Sequence, residues 1–302
     1  MSPASTTKTY NAPHVHGLGL SSSSCEFVIR AACHAYIKCG VPLSSARVAL
    51  AALRMERGQA GGVALAAIDV YPITYGGVCM LHTAPGAHDF GHVSVVPISA
   101  DPTWLGDHVV VAFNPRGKRH EVPSLLRRLV THSSARARVE RFSRLAAEAG
   151  AAIVNQDIRA LASAVNNYRL EFDRWTTAAF DKPIFTLPVR RIATALVAAL
   201  PHDVLGWKPP GGGACEALIV ISRCDLGARR VIEYLASAGW TAIPADVTGG
   251  VDVQVTCPAV RITAGHRLDF IGAADLGQDP HISAAGVCCS AAIAPRSELL
   301  LV

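Results

Sequence analysis

Three stretches of this chain combine glycine, hydroxyl and carboxylate residues in patterns that suit phosphate and a hard cation. The first is GLGLSSSS, comprising Gly17, Leu18, Gly19, Leu20, Ser21, Ser22, Ser23 and Ser24. Its glycines let the backbone approach a phosphate closely. Its serines stand where a helix begins, so unpaired N–H groups and a positive dipole end would face an anion. A serine hydroxyl there also suits Mg²⁺, which prefers oxygen ligands. The GxxxxGK[ST] pattern of a P-loop is missing. A serine-rich helix cap after a flexible loop would read the same way.

The second stretch is KPPGGGACEAL at 208–218, in which Gly211, Gly212 and Gly213 permit a nest of backbone N–H groups around an anion. A tight connection is the simpler account of it. The third is RMERGQAGG…AIDVY…YGG at 54–77, with Glu56 at a helix end and Asp69 between paired glycines. One carboxylate could ligate Mg²⁺ while the other orients or deprotonates a hydroxyl. Taken alone, these are as readily two surface acids.

Other chemistries find less support. His14, His16, His82, His88 and His92 match no standard zinc spacing. No G-x-S-x-G elbow is present. The nine cysteines are scattered, apart from the adjacent Cys288 and Cys289, which points to reduced thiols and away from a disulfide framework.

Around these stretches the periodicity predicts helices over Cys25–Lys38 and Leu43–Arg57, the latter with Leu43, Ala46, Leu50 and Leu53 at helical spacing. Further helices are expected at 121–149, 155–175, Pro188–Leu200 and Leu226–Gly239. Strands are expected at Val78–Leu81, Val109–Phe113, Ala217–Ser222 and Thr241–Ile243. More follow at Val251–Thr256, Val260–Ala264, Val287–Ile293 and Glu298–Val302. Strands and helices do not alternate strictly, so the class is α+β.

Composition narrows the field. The chain of 302 residues is half hydrophobic and 17% charged, with a net charge of only +5. No Lys/Arg stripe of the kind that tracks nucleic acid is present, since the basic runs at Arg116–Arg119 and Arg136–Arg144 are diluted by other residues. Apolar runs are too short for a bilayer span, which needs about 20 residues. The N-terminus shows no apolar signal core, so a cytoplasmic protein is expected.

Taken together, the three stretches resemble the GHMP kinase superfamily, nearest to its sugar-kinase branch of heptose-phosphate kinases, fucokinases and galactokinases. GLGLSSSS resembles the superfamily's second motif and KPPGGGACEAL its third. IDVYPITYGG resembles the QDQYAAAFGG-type stretch of heptose-phosphate kinases and fucokinases. The first motif, PxRxxxxGExxD, is missing before Gly17, but CPAVRITAGHRLDFIG at 257–272 resembles it, with Pro258, Gly265 and Asp269 in register and Arg261 one residue late. GHRLDF stands where galactokinases carry a GEHxDY-type turn. The motif order two, three, one is that of a circular permutation, which is tolerated when chain termini lie close together on a surface.

The resemblance implies a two-lobed α+β fold. One lobe would be similar to ribosomal S5 domain 2 and assembled from 1–100 and 251–302. The other would be ferredoxin-like, from 101–250, and would carry the third motif. It implies ATP and Mg²⁺ as cofactors, Gly17–Ser24 around the ATP phosphates, Ser23 and Glu56 on the metal, and Asp69 as the catalytic carboxylate. Arg261, Gly265, Asp269 and Gly211–Gly213 would serve the acceptor, a sugar or sugar phosphate. No nucleic-acid or membrane partner is expected, and a homodimer is one candidate assembly. Two other readings stay open. One is a transferase similar to ribofuranosylaminobenzene 5'-phosphate synthase, and the other is a member that binds ligands without catalysis. ERGQAGGVALAAID, similar to that synthase's RG…SGIG…FE pattern, supports the first, while His266 in place of an acidic residue and PPGGGAC in place of GAGGGG favour the second.

Overall fold

The computed structural model describes residues 6–7, 22–59, 69–83, 93–117, 129, 132–211, 213–256, 259–272 and 286–301. Most of Gly17–Ser24 therefore lies outside the described residues. So do Gly212, the 60–68 segment and Pro258.

Two antiparallel sheets organise the chain. The larger runs in the order β3 (Val93–Ile98), β2 (Val78–Thr83), β10 (Gly286–Leu301), β9 (Ala259–Gly272) and β8 (Asp252–Thr256), with β1 (Thr6–Thr7) also pairing with β10. Both ends of the chain thus meet on one strand. The smaller sheet runs β5 (Val204–Lys208), β6 (Ala217–Ser222), β4 (Val109–Phe113) and β7 (Thr241–Pro244). Its central strands, VVVAF and ALIVIS, are buried at every position. Such continuous apolar runs belong to strands covered on both faces.

Helices fill the layers between. α1 (Ser22–Cys39), α2 (Ser45–Gln59) and α3 (Val70–Tyr75) cover one face of the larger sheet through Val28, Leu53 and Ile73 against Ile262, Ala264 and Cys288. α4 (Pro102–His108), capped by the Asp101 side chain on Thr103 N–H, leads into β4. α5 (Ala135–Val154) and α6 (Ile158–Phe180) lie between the two sheets. Phe142, Tyr168, Phe172 and Trp175 there join the β9–β10 face to Val109, Val111, Ile219 and Ile221. α7 (Leu187–Ala199) and α8 (Asp225–Ser237) cover the outer face of the smaller sheet. No helix among the described residues is long and apolar enough to cross a membrane.

Several expectations need correction. The helix predicted to end near Gly150 continues to Val154, and the break falls at Asn155–Asp157. Gln156 has φ 53° there, and Asp157 caps α6 by accepting from Arg159 and Ala160 N–H. Gly150 is helical because β2 lies close above it: a Cβ would come within 2.7 Å of the Met80 sulfur. Val260–Ala264 does not end in a turn, since the strand runs on through GHRLDF to Gly272. Val287–Ile293 and Glu298–Val302 are parts of one strand, β10, interrupted by a bulge. β3, β5, α3 and α4 carry no sequence expectation.

Candidate functional site

The register of β9 against β10 shifts twice, once between Ile293 and Ser297 and once between Cys289 and Ser290. Each shift moves a strand's side chains to the opposite face. On β9, Ile262 and Ala264 pack toward α1–α3, whereas Leu268, Phe270 and Ile271 pack toward α5 and α6. Gly265 lies where the alternation flips. Between the two irregularities Arg267 and Asp269 alternate with Leu268 and so project toward α1–α3, with Asp269 opposite Ser290 and Arg267 opposite Ala292 of β10.

Four chain segments converge there. Arg267, 3% exposed, forms ion pairs with both Asp69 and Asp269. Asp69 occupies the N-cap position of α3, yet its side chain caps nothing and turns to the guanidinium. Asp269 also accepts hydrogen bonds from Ser290 Oγ and, at 3.2 Å, from Cys288 Sγ. Lys208, the last residue of β5, crosses from the smaller sheet and donates from Nζ to the Asp269 carbonyl at 2.8 Å.

Burial pushes the Asp269 carboxyl up, but Arg267 and Lys208 outweigh it and hold the group below the usual carboxylate range. Burial likewise pulls Lys208 below the usual ammonium range, against the pull of Asp269. The Cys288 thiol is raised well above its ordinary value, first by burial and then by Asp269, so it is a neutral donor here.

Beside this cluster, the start of α1 meets the end of α2. Ser24 Oγ donates to Glu56 Oε1 at 2.9 Å, and Glu56 Oε2 is buried with no hydrogen-bond partner among the described residues. Burial raises the Glu56 carboxyl, opposed by the Ser24 bond and by the Arg267 charge. A buried carboxylate oxygen without a donor, next to a serine hydroxyl, suits a hard cation that takes its remaining ligands from phosphate and water. No group of three or more His, Cys, Asp or Glu able to hold a metal occurs among the described residues. A metal here would therefore rely on a bound nucleotide for most of its ligands.

The structure thus brings together Asp69, Glu56 and Asp269 of the sequence-predicted residues, with Ser24 on Glu56. The Ser23 side chain lies outside the description. Arg261 is not brought to the cluster. It lies eight residues before Asp269 on β9, pairs with Glu298 at 3.2 Å and is largely exposed. Gly211 and Gly213 have φ of 53° and 76°, and Gly213 lies so close to Phe185 that a Cβ would come within 2.5 Å of its ring. These glycines follow Lys208 directly, so the loop is anchored at its root to β9.

Sequence reasoning missed Arg267, Ser290, Cys288 and Lys208. A signal for Arg267 was present: RLDF alternates charged and apolar residues, as a half-buried strand does.

Comparison with known proteins bears on this arrangement. Residues 6–77 match the family model described as GHMP kinases N terminal domain. No curated protein matches the chain. Among solved structures, a mevalonate kinase is similar with a TM-score of 0.57 at 14% identity, over 79% of this chain and 67% of that one. A mevalonate diphosphate decarboxylase from Staphylococcus aureus gives 0.53 at 16% identity, over 79% and 68%. A candidate sugar kinase from Campylobacter jejuni gives 0.50 at 19% identity; this chain covers 63% of its length, with 78% of this chain aligned. The chain accordingly has a two-lobed α+β fold similar to that of the GHMP kinases, and its residues 6–77 match the model of that family's N-terminal domain.

Proposed function

We propose that this protein is an ATP- and Mg²⁺-dependent small-molecule kinase that transfers a phosphoryl group to a hydroxyl of a sugar or sugar phosphate. The observation that carries this reading is the clamp of Arg267 on Asp69 beside the Ser24–Glu56 pair. It supplies an accessible, ion-paired carboxylate next to a fitting metal position. In this reading Asp69, with its side chain 20% exposed, faces the acceptor and takes up or orients its hydroxyl proton as the acceptor oxygen bonds to phosphorus. Arg267 holds that carboxylate in place through the ion pair. Glu56 and the serines at the start of α1 hold Mg²⁺, which when bound neutralises charge on the transferring phosphoryl group. The 17–24 loop cradles the phosphates, and Gly211–Gly213 close over the acceptor.

We further read the chain as circularly permuted within the family. Support comes from β10, which lies between β9 and β2 and also pairs with β1, so residues 6–7 and 286–301 lie in one sheet with the first-motif strand β9. A cytoplasmic location goes with this reading.

Calorimetric titration with ATP, with and without Mg²⁺, and separately with phosphoribosyl pyrophosphate, tests the proposal. Metal-dependent ATP binding near micromolar affinity, about −8 kcal/mol, is expected, as is ADP release that Asp69→Asn abolishes while ATP still binds. Binding of phosphoribosyl pyrophosphate alone would transfer the assignment to a synthase-like transferase.

A further inference from the structure

Lys208 is a charged side chain only 2% exposed, at the junction of the two sheets. A buried ammonium is costly unless its surroundings compensate it. Here the compensation is specific: Nζ donates to the Asp269 carbonyl at 2.8 Å and lies 5.3 Å from the centre of the Tyr168 ring. Asp269 in turn reaches Arg267, and Arg267 reaches Asp69. The contacts run without a gap from β5 through β9 to α3, with cation and carboxylate alternating along the way. The β9 bulge at Phe270 lies directly after Asp269, so the Asp269 carbonyl and side chain are set at an irregular point of the strand.

From this arrangement we infer that Lys208 and Asp269 are positioning residues that hold Arg267 against Asp69, coupling β5 of the smaller sheet to the reacting carboxylate. Asp269 then does not recognise the acceptor. Its carboxylate is already engaged by Arg267, Ser290 and Cys288, and its side chain is 13% exposed against 20% for Asp69.

This inference rests on the kinase reading for the role of Asp69, but its test separates the two. The primary experiment compares wild type, Lys208→Met and Lys208→Arg for ADP release from Mg-ATP, with water as acceptor, and for Mg-ATP affinity by calorimetry. Lys208→Met is expected to lower turnover about tenfold to a hundredfold, the scale of a displaced reacting group, while Mg-ATP affinity changes little. Lys208→Arg restores part of the rate, which a space-filling role would not require. Unchanged turnover in Lys208→Met, or equal loss of turnover and affinity, overturns the inference. Should Lys208→Met fail to fold, the isosteric Asp269→Asn takes its place with the same expectations. If wild type releases no ADP, the kinase reading fails, and a double-mutant cycle in urea unfolding between Lys208→Met and Asp69→Asn still decides the coupling. Non-additive midpoints support it and additive midpoints refute it.

Discussion

Replacing Arg267 by methionine would keep much of the side-chain volume and leave Asp69 and Asp269 as neighbouring carboxylates without their shared cation. Arg267 is buried, with its side chain 4% exposed, and Asp69 and Asp269 are partly buried at 20% and 13%, so solvent screening is reduced. Breaking a buried pair by removing one partner typically costs about 3–5 kcal/mol. At about 2–4 °C per kcal/mol for a large domain, the melting temperature should fall by about 6–20 °C at neutral pH. Lys208 remains beside Asp269 and favours the lower part of that range. The loss must also depend on pH. Asp269 is held below its ordinary value of 3.8, so its contribution is present above that value and disappears as pH falls through the depressed one. In the variant Asp269 loses the Arg267 charge and protonates more readily, so the gap between variant and wild type should narrow as pH falls from 7 toward 4. Urea unfolding across that range measures both effects. A loss below about 1 kcal/mol at pH 7, the worth of a surface pair, would refute the buried clamp. So would a larger loss that is flat with pH.

Glu56→Gln should act in the opposite direction. Burial raises the Glu56 carboxyl, so stability falls as pH rises from its ordinary 4.5 to the raised value and stays reduced above it. Removing the charge should stabilise the metal-free protein at neutral pH by about 1 kcal/mol, with no gain near pH 4, while any Mg²⁺-induced shift in melting disappears; scanning calorimetry with and without Mg²⁺ reads both. Gly76→Ala should destabilise by about 2 kcal/mol or more, because φ is 75° and a Cβ would overlap the backbone of Gly249 and Gly250. Urea unfolding checks this, and a neutral result would contradict the close approach that ends α3. Among the described cysteines, Cys39 and Cys224 are exposed, whereas burial pushes Cys25 up to about 12 and Cys79 to about 11. Alkylation at pH 8 followed by peptide mapping should label the first two long before the others.

The helices around the site were legible because their apolar spacing is regular. The predicted Cys25–Lys38 and Leu43–Arg57 compare with Ser22–Cys39 and Ser45–Gln59. Glycine misled where it served packing and not a break, as at Gly150 under Met80. It misled again in GHRLDF, where Gly265 marks an irregularity inside a strand and not a turn. The strand Val204–Lys208 was hidden by its own glycine and by the proline–glycine run behind it, and Lys208 went unnoticed with it. Pairings such as Lys208 with Asp269 leave no local trace, since nothing in either segment's own pattern specifies the partner.

The choice of Arg267 over Arg261 as the partner of Asp69 shows what separates motif from site. Both arginines lie on β9, and motif spacing favours Arg261 because it follows the proline. Spacing along a chain becomes direction in space only through strand register, and β9 changes face at Gly265 and again at Phe270. Arg261 precedes both changes and ends at the surface with Glu298, whereas Arg267 lies between them and is turned inward. Similarity of fold cannot make this distinction, since it extends to a decarboxylase as readily as to kinases. The chemistry open to this chain therefore depends on two irregular pairings in one hairpin.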